Sequence, residues 1–437
     1  MVLSGGFPAR DLFPFTSLSA ACSDGTHIEL LGAALTSAQQ YNLSLRGQPP
    51  LLAWATEHMA ALHRPPASAG HEVLITNGGN HSLEMVLSLF LDHGDALLVE
   101  EYSYPVVVES IAVPKGYVPV GVPMDSQGIV PEALEELLAR LAAEHAADPV
   151  GHLFPKLLYT IPNGQNPTGA TMPLDRKHAV YAACRRHGLI IVEDDPYCYL
   201  RYGAAALAAA ENPGPAAMPG LAGAAAEGSY LGLDADGRVI RVDSFAKFLA
   251  PGEQRLSGRC RAWSWCPWCS LFQGPRPLTH LRRPMARSAP GLGNGRAACR
   301  PQAHLHYPGA HGAGLQEREQ AAWAVREGKH VLTRPLTHSQ VGPCSLSQAL
   351  VSATLAAWGD RGLDMHLRRV QAEYARRARL MLAAADRELS GLAQWVAPTV
   401  GMFLWVRLLG EEDSGEAWRE LSEAGVIVIP GKPLHWR

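Results

Sequence analysis

The chain has 437 residues, of which 47% are hydrophobic and 18% charged, and it carries a net charge of −3. A near-neutral balance gives no support for a nucleic-acid or other polyanionic partner, and no apolar run is long enough to span a bilayer. The length allows one large and one smaller domain.

The opening, MVLSGGFPARDLFPF, lacks the charged-then-apolar order of a signal peptide, and no transit-peptide pattern is visible. The cytoplasm is therefore the expected compartment, or an organelle if the true start lies upstream. Cys22, Cys184, Cys198 and Cys344 are scattered, as in a reducing compartment.

From about residue 72 to 245 short aliphatic runs alternate with helical patterns. HEVLIT, DALLVEE, GYVPVGVPMD, KLLYTIPN, GLIIVEDD and RVIRVDS read as strands. NHSLEMVLSLFLDH, PEALEELLARLAAEHA and PLDRKHAVYAACRRHG read as helices by their apolar spacing. The alternation predicts an α/β domain with a mostly parallel sheet, and ligands of such sheets bind beyond the carboxyl ends of the strands.

The residues after each strand are thus the ones to read. HEVLIT is followed by Thr76-Asn77-Gly78-Gly79-Asn80 and a helix. This pattern suits an anion on backbone N–H groups, and suits an ordinary helix cap as well. DALLVEE leads to Tyr102-Ser103-Tyr104-Pro105, where an aromatic would stack on a planar cofactor or simply pack. KLLYTIPN leads through Gly164-Gln165 to Asn166-Pro167-Thr168-Gly169, a turn offering an amide donor to a ring oxygen. GLIIVEDD ends in Asp194 and Asp195 before Pro196-Tyr197. A buried Asp there needs a positive partner, such as a pyridinium nitrogen, and either Asp would serve; a structural, helix-capping Asp is the plain alternative. RVIRVD leads to Ser244-Phe245-Ala246-Lys247. An amine among apolar side chains forms a Schiff base with an aldehyde and then acts as a general base, whereas a lone lysine is ordinarily a surface residue. Five strand ends presenting such groups in order favour the first reading.

Residues 203–228 are Ala/Gly/Pro-rich and read as a surface loop or insertion. Residues 254–316 contain no Asp, Glu or Lys and keep no periodicity. Their Arg content would suit a binding arm, and Cys266-Pro267-Trp268-Cys269 a metal or redox site, but a lone pair without a second pair is weak support. Translated intron or frame-shifted sequence explains the stretch better, and no metal site is expected. Helical pattern returns with SLSQALVSATLAAWG and DMHLRRVQAEYARRARLMLAAADREL, followed by strand candidates GMFLWVRLL and GVIVIPG.

Taken together, SGGFPARDLFPF, Gln40-Tyr41-Asn42, TNGGN, EEYSYP, IPNGQNPTG, VEDDPY, DSFAK, Gly401–Trp405 and Gly425–Gly431 resemble fold-type I pyridoxal-phosphate aminotransferases of class I/II, nearest the 2-aminoadipate/kynurenine group. The resemblance covers residues 4–253 and about 341–433. It implies a three-layer α/β/α large domain and a smaller, incomplete α+β C-terminal domain. The expected divisions are a substrate-lining arm at 1–40, a cofactor-binding domain at 41–258, the anomalous and poorly structured segment at 259–340, and connecting helices with a truncated small domain at 341–437.

It also implies roles. Lys247 would hold pyridoxal 5'-phosphate covalently and move the substrate proton. Asp194 would pair with the pyridine nitrogen, Asn166 and Tyr197 with the ring hydroxyl oxygen, and Tyr104 would stack on the ring. Gly79, Asn80 and Ser244 would hold the phosphate. Gly6, Tyr41 and Asn166 would border the substrate, with Tyr41 reaching across a homodimer. Amino acids and 2-oxo acids are the implied partners, with no membrane or nucleic acid.

The sequence departs from the family at four places. Ala246 replaces a usual Ser. In PGEQRLSG the phosphate-binding Arg255 sits one place late, with Gln254 in its register. Residues 259–340 do not resemble the family's strands. The chain stops at Arg437, before the Arg that binds the substrate carboxylate. A non-catalytic homologue and a C–S lyase on the same scaffold are the alternatives; a winged-helix regulator is disfavoured because no DNA-binding module is seen.

Overall fold

The computed structural model describes residues 7–41, 44, 46–249, 343–410, 414–423, 425–426, 428–431 and 435. The described residues fall in one compact unit, Met1–Leu256 with Glu319–Arg437. Gly6, Arg255, the Cys266–Cys269 pair and the 259–340 segment lie outside the described residues.

In chain order, β1 (Leu18–Ala21) and β2 (His27–Leu30) form a hairpin, followed by α1 (Gly32–Ala38), α2 (Pro49–His63) and α3 (Gly79–Phe90). Then come β3 (Ala96–Glu100), β4 (Val118–Val122), β5 (Met124–Asp125), β6 (Gly128–Ile129), α4 (Pro131–Ala147), β7 (Leu157–Thr160), α5 (Leu174–Arg186) and β8 (Ile190–Asp194). The remainder is α6 (Gly203–Ala208), α7 (Leu221–Ala224), α8 (Tyr230–Leu233), β9 (Val239–Val242), α9 (Ser345–Glu388), β10 (Ala393–Trp395), β11 (Val406–Leu408) and α10 (Ser414–Glu423).

Five strands form one parallel sheet in the order β4-β3-β7-β8-β9. β7 is buried at every position and β8 at all but its first, as apolar strands covered on both faces should be. One core layer joins Leu83, Leu87 and Val107 to Leu97, Val99 and Tyr159; the other joins Leu134, Leu138 and Val180 to Leu98, Leu158 and Ile191. Helices therefore cover both faces, giving the three-layer arrangement expected. No described helix is long and apolar enough to cross a membrane.

Three expectations need correction. HEVLIT is not a strand. Its backbone is satisfied off the sheet: the Ile75 amide donates to the Arg46 carbonyl at 2.8 Å, and the Arg46 guanidinium donates to the Val73 carbonyl at 3.3 and 3.2 Å. The described part of GVIVIPG is not a strand either, because the Gly425 and Val426 amides close the end of α10 on Ser422 and Leu421. In GMFLWVRLL only Val406–Leu408 pairs, with β10.

The 203–228 segment is more than a surface loop. Met218 and Ala224 are buried, and Gly220 exchanges hydrogen bonds with the fully buried Gln371 side chain of α9 at 2.8 and 2.9 Å. Its small residues let α9 approach closely; α9 itself bends at Gly359, whose φ of 56° ends the first of the two expected helices.

Candidate active site

The carboxyl ends of β3, β7, β8 and β9 present Glu100, Thr160, Asp194 and Val242 side by side. Loops leaving these ends carry the residues singled out by sequence.

Asp194 closes β8 and is 7% exposed. It accepts a hydrogen bond from the Tyr159 hydroxyl on neighbouring β7 at 2.8 Å. Burial pushes its carboxyl up to about 7, helped by Asp195 and Asp243 and opposed by Tyr159 and Arg241. Asp195 is committed elsewhere, accepting from Asn163 at 2.8 Å and from Arg241 at 2.9 Å. Of the two acids, Asp194 is thus the one without a bonded guanidinium, and it suits a protonated ring nitrogen.

The Asn166-Pro167 bond is cis. The Asn166 side-chain amide lies 3.5 Å from the Tyr197 hydroxyl. Tyr197 is buried, and burial followed by the charge of Asp194 raises its phenol well above the usual range, so it stays a donor. The Lys247 ammonium lies 5.6 Å from the Tyr197 ring centre. Asp194, Asn166, Tyr197 and Lys247 therefore share one neighbourhood.

Tyr104 is half-buried, shares a hydrogen bond with Asn80, and its phenol is raised by burial. Gly79 begins α3, with Gly78 as its cap at a φ of 89° that a side chain would strain. A Cβ on Gly79 would meet Val242 at 3.8 Å, so α3 begins close against β9. Ser244 caps the Phe245–Lys247 turn, accepting from the Ala246 amide at 3.2 Å. Tyr41 is 51% exposed and stands apart from this cluster, its ring 6.4 Å from Phe7.

Sequence reasoning missed a supporting layer. Buried Glu100 accepts from Thr160 at 2.7 Å and from Gln165 at 2.8 Å, while Gln165 donates to the Tyr102 carbonyl at 2.6 Å. These bonds fix the loop that carries Asn166. Burial raises Glu100 to about 7. Arg241 binds Glu193, Asp195 and Asp243 at 3.1, 2.9 and 3.0 Å. The available signal was a charge inside a strand, the second Arg of RVIRVD.

The donor set fits pyridoxal phosphate: a buried uncompensated carboxylate, an amide beside a phenol, a primary amine over an aromatic ring, and a helix N-terminus with small residues.

The chain is also similar to proteins already known. Residues 22–254 match the family described as aminotransferase class I and II. The rat mitochondrial kynurenine/alpha-aminoadipate aminotransferase is 29% identical over 439 residues, covering 98% of this chain and 82% of the relative. Aminotransferase swnA of Metarhizium robertsii is 31% identical over 400 residues, covering 91% and 62% respectively. Among solved structures, aminotransferase Aro8 of Candida albicans superposes with a TM-score of 0.73 at 24% identity, covering 100% of this chain and 83% of that one.

Proposed function

Because the chain belongs to the class I and II aminotransferases, we propose that it moves an amino group from 2-aminoadipate, kynurenine or an aromatic amino acid to a 2-oxo acid. The substrate range rests on the names of its relatives, the rat protein and the aromatic amino acid aminotransferases of Schizosaccharomyces pombe. Use of pyridoxal phosphate follows from the family and the donor set. The observation that carries the site assignment is the shared neighbourhood of Lys247, Tyr197, Asn166 and buried Asp194.

When bound, the cofactor supplies an electron sink. In this reading Lys247 anchors it and carries the proton taken from the substrate carbon. Asp194 keeps the ring nitrogen protonated. Asn166 and Tyr197 would donate to the ring hydroxyl oxygen, and Tyr104 would pack on the ring. Gly79, Asn80 and Ser244 bind the phosphate, with Arg255 as the further cation proposed there. Gly6 and Tyr41 border the substrate, Tyr41 from a second copy of the chain in a homodimer. The half-exposed Phe7, Phe15 and Tyr41 support that arrangement. The cytoplasm is the proposed compartment, supported by unpaired Cys22, Cys184, Cys198 and Cys344.

Purified protein mixed with pyridoxal phosphate should show a visible absorption band fixed by borohydride, absent in Lys247→Ala. Kynurenine, 2-aminoadipate and phenylalanine should then each be assayed with 2-oxoglutarate. Product from none of the three, with the band intact, would refute the substrate class. Release of a thiol together with pyruvate and ammonium from cysteine conjugates would favour the C–S lyase reading instead.

A further inference from the structure

Beyond the strand-end residues lies a buried charge cluster that the proposed reaction leaves unassigned. Its centre is Arg241 on β9, with a side chain only 3% exposed. The guanidinium bridges Glu193 and Asp195 at the end of β8 to Asp243 at the end of β9. It also donates to Ser229 at 3.2 Å and to the Cys198 sulfur at 3.5 Å. Asp195 directly follows Asp194, and Asp243 stands four residues before Lys247.

We propose that Arg241 is a positioning residue for the cofactor: it clamps the ends of β8 and β9 together and offsets the charges of Asp195 and Asp243, so that Asp194 can face the ring nitrogen as an anion. The inference rests on the reading of Asp194 given above.

No other nearby group bridges Asp195 and Asp243. His63 on α2 approaches Asp243 at 3.9 Å, but burial, with Arg241 next in importance, lowers it to about 2, so it is neutral. Lys177 on α5 bonds to Asn163 at 3.3 Å and to the carbonyls of Glu227 and Gly228 at 3.0 and 3.1 Å; its charge is felt by Asp195 and Glu193, but it bridges neither of them to Asp243. Around Asp194 itself stand Tyr159 and Glu100 from β7 and β3, and Tyr104 and Tyr197 from the loops, all neutral or acidic, with the Lys247 ammonium, the amine assigned to the cofactor, beyond Tyr197. One oxygen each of Asp195 and Asp243 is buried with no hydrogen-bond partner among the described residues, so Arg241 is the cation those carboxylates share. Removing it would leave Asp195 and Asp243 pressing Asp194 toward its protonated form.

The test titrates pyridoxal phosphate into the full chain at about pH 7 and about pH 9, reading Kd from the visible band. Wild type, Arg241→Gln, Arg241→Lys, Asp243→Asn and Lys247→Ala are compared. Arg241→Gln should bind about tenfold more weakly than wild type at about pH 7 and within about twofold at pH 9, where Asp194 ionises regardless. Arg241→Lys, which keeps the charge, should fall between. Asp243→Asn removes an opposing carboxylate and should hold cofactor to lower pH than wild type.

Equal loss in Arg241→Gln at both pH values, or no loss, overturns the proposal. If Arg241→Gln does not fold, the Asp243→Asn profile decides: unmoved, or moved to higher pH, it overturns the proposal. A wild type that takes up no more cofactor than Lys247→Ala would instead overturn the reading of the site, and this inference with it.

Discussion

Asp194→Asn should stabilise the cofactor-free protein above neutral pH while weakening its hold on cofactor. The carboxyl is 7% exposed and accepts a hydrogen bond from the Tyr159 hydroxyl at 2.8 Å. Its value rises from 3.8 to about 7, chiefly through burial. The folded value thus lies above the unfolded one. The associated stability is complete below about pH 4 and is lost as pH rises through about 7. At pH 8 the ionised carboxylate costs the fold about 4 kcal/mol. Asn carries no charge and still accepts the Tyr159 hydroxyl, though through a weaker neutral bond; the loss there is about 1 kcal/mol. A net gain of about 2–3 kcal/mol remains at pH 8 and shrinks to near zero by about pH 4. Urea denaturation of both cofactor-free proteins at the two pH values measures it. With saturating pyridoxal phosphate at pH 8 the order should reverse, because only the acid can pair with a ring cation. A cofactor-free variant less stable than wild type at pH 8, or a difference independent of pH, would refute the reasoning.

Glu100→Ala leaves the Thr160 hydroxyl and the Gln165 amide without their buried acceptor, costs about 2–4 kcal/mol in denaturant, and loosens the Asn166 loop enough to raise the cofactor Kd. Gln371→Ala strips bonds from the Tyr199 and Gly220 carbonyls and from the Gly220 amide. It should cost about 3 kcal/mol in urea denaturation, and because Tyr199 stands two residues after Tyr197 the cofactor Kd should rise as well. At Gly164, where φ is +56°, a Cβ would stand 3.0 Å from the Gly401 Cα and the Val400 carbonyl. Gly164→Ala should therefore lower the melting temperature and raise KM, whereas unchanged values would show that the Val400–Gly401 turn yields easily.

The parts of the fold legible in the sequence were those fixed by local chemistry. β7 and β8 read as apolar runs because both faces are covered, and their ends read as chemistry because polar residues there had no other purpose. HEVLIT has the same composition as those strands. What it lacks is a ladder partner, and Arg46, distant in sequence, takes its backbone groups instead. The choice between Asp194 and Asp195 was closed to pattern reading for the same reason. It is made by Tyr159 on one neighbouring strand and Arg241 on the other. The Ala/Gly-rich 203–228 stretch looked dispensable, yet small side chains are what a close helix approach requires.

The residues that pattern reading found and those it missed differ in what they touch. Lys247, Asn166 and Asp194 are the residues proposed to meet the cofactor; Tyr159 bonds to Asp194, Glu100 to the loop of Asn166, and Arg241 to Asp195 beside Asp194. The second set concentrates acidic groups around Asp194, and both Glu100 and Asp194 are raised to about 7. Such a layer is poorly suited to an empty protein, because each ionisation inside it opposes the next. A bound ring cation relieves that opposition at Asp194. Pyridoxal phosphate should therefore raise the melting temperature more at about pH 8, where the carboxylate is charged and uncompensated, than at about pH 6, where it is mostly protonated. Scanning calorimetry of wild type with and without cofactor at the two pH values measures the difference. An increment that is the same at both would mean that the buried acids are not coupled to the cofactor.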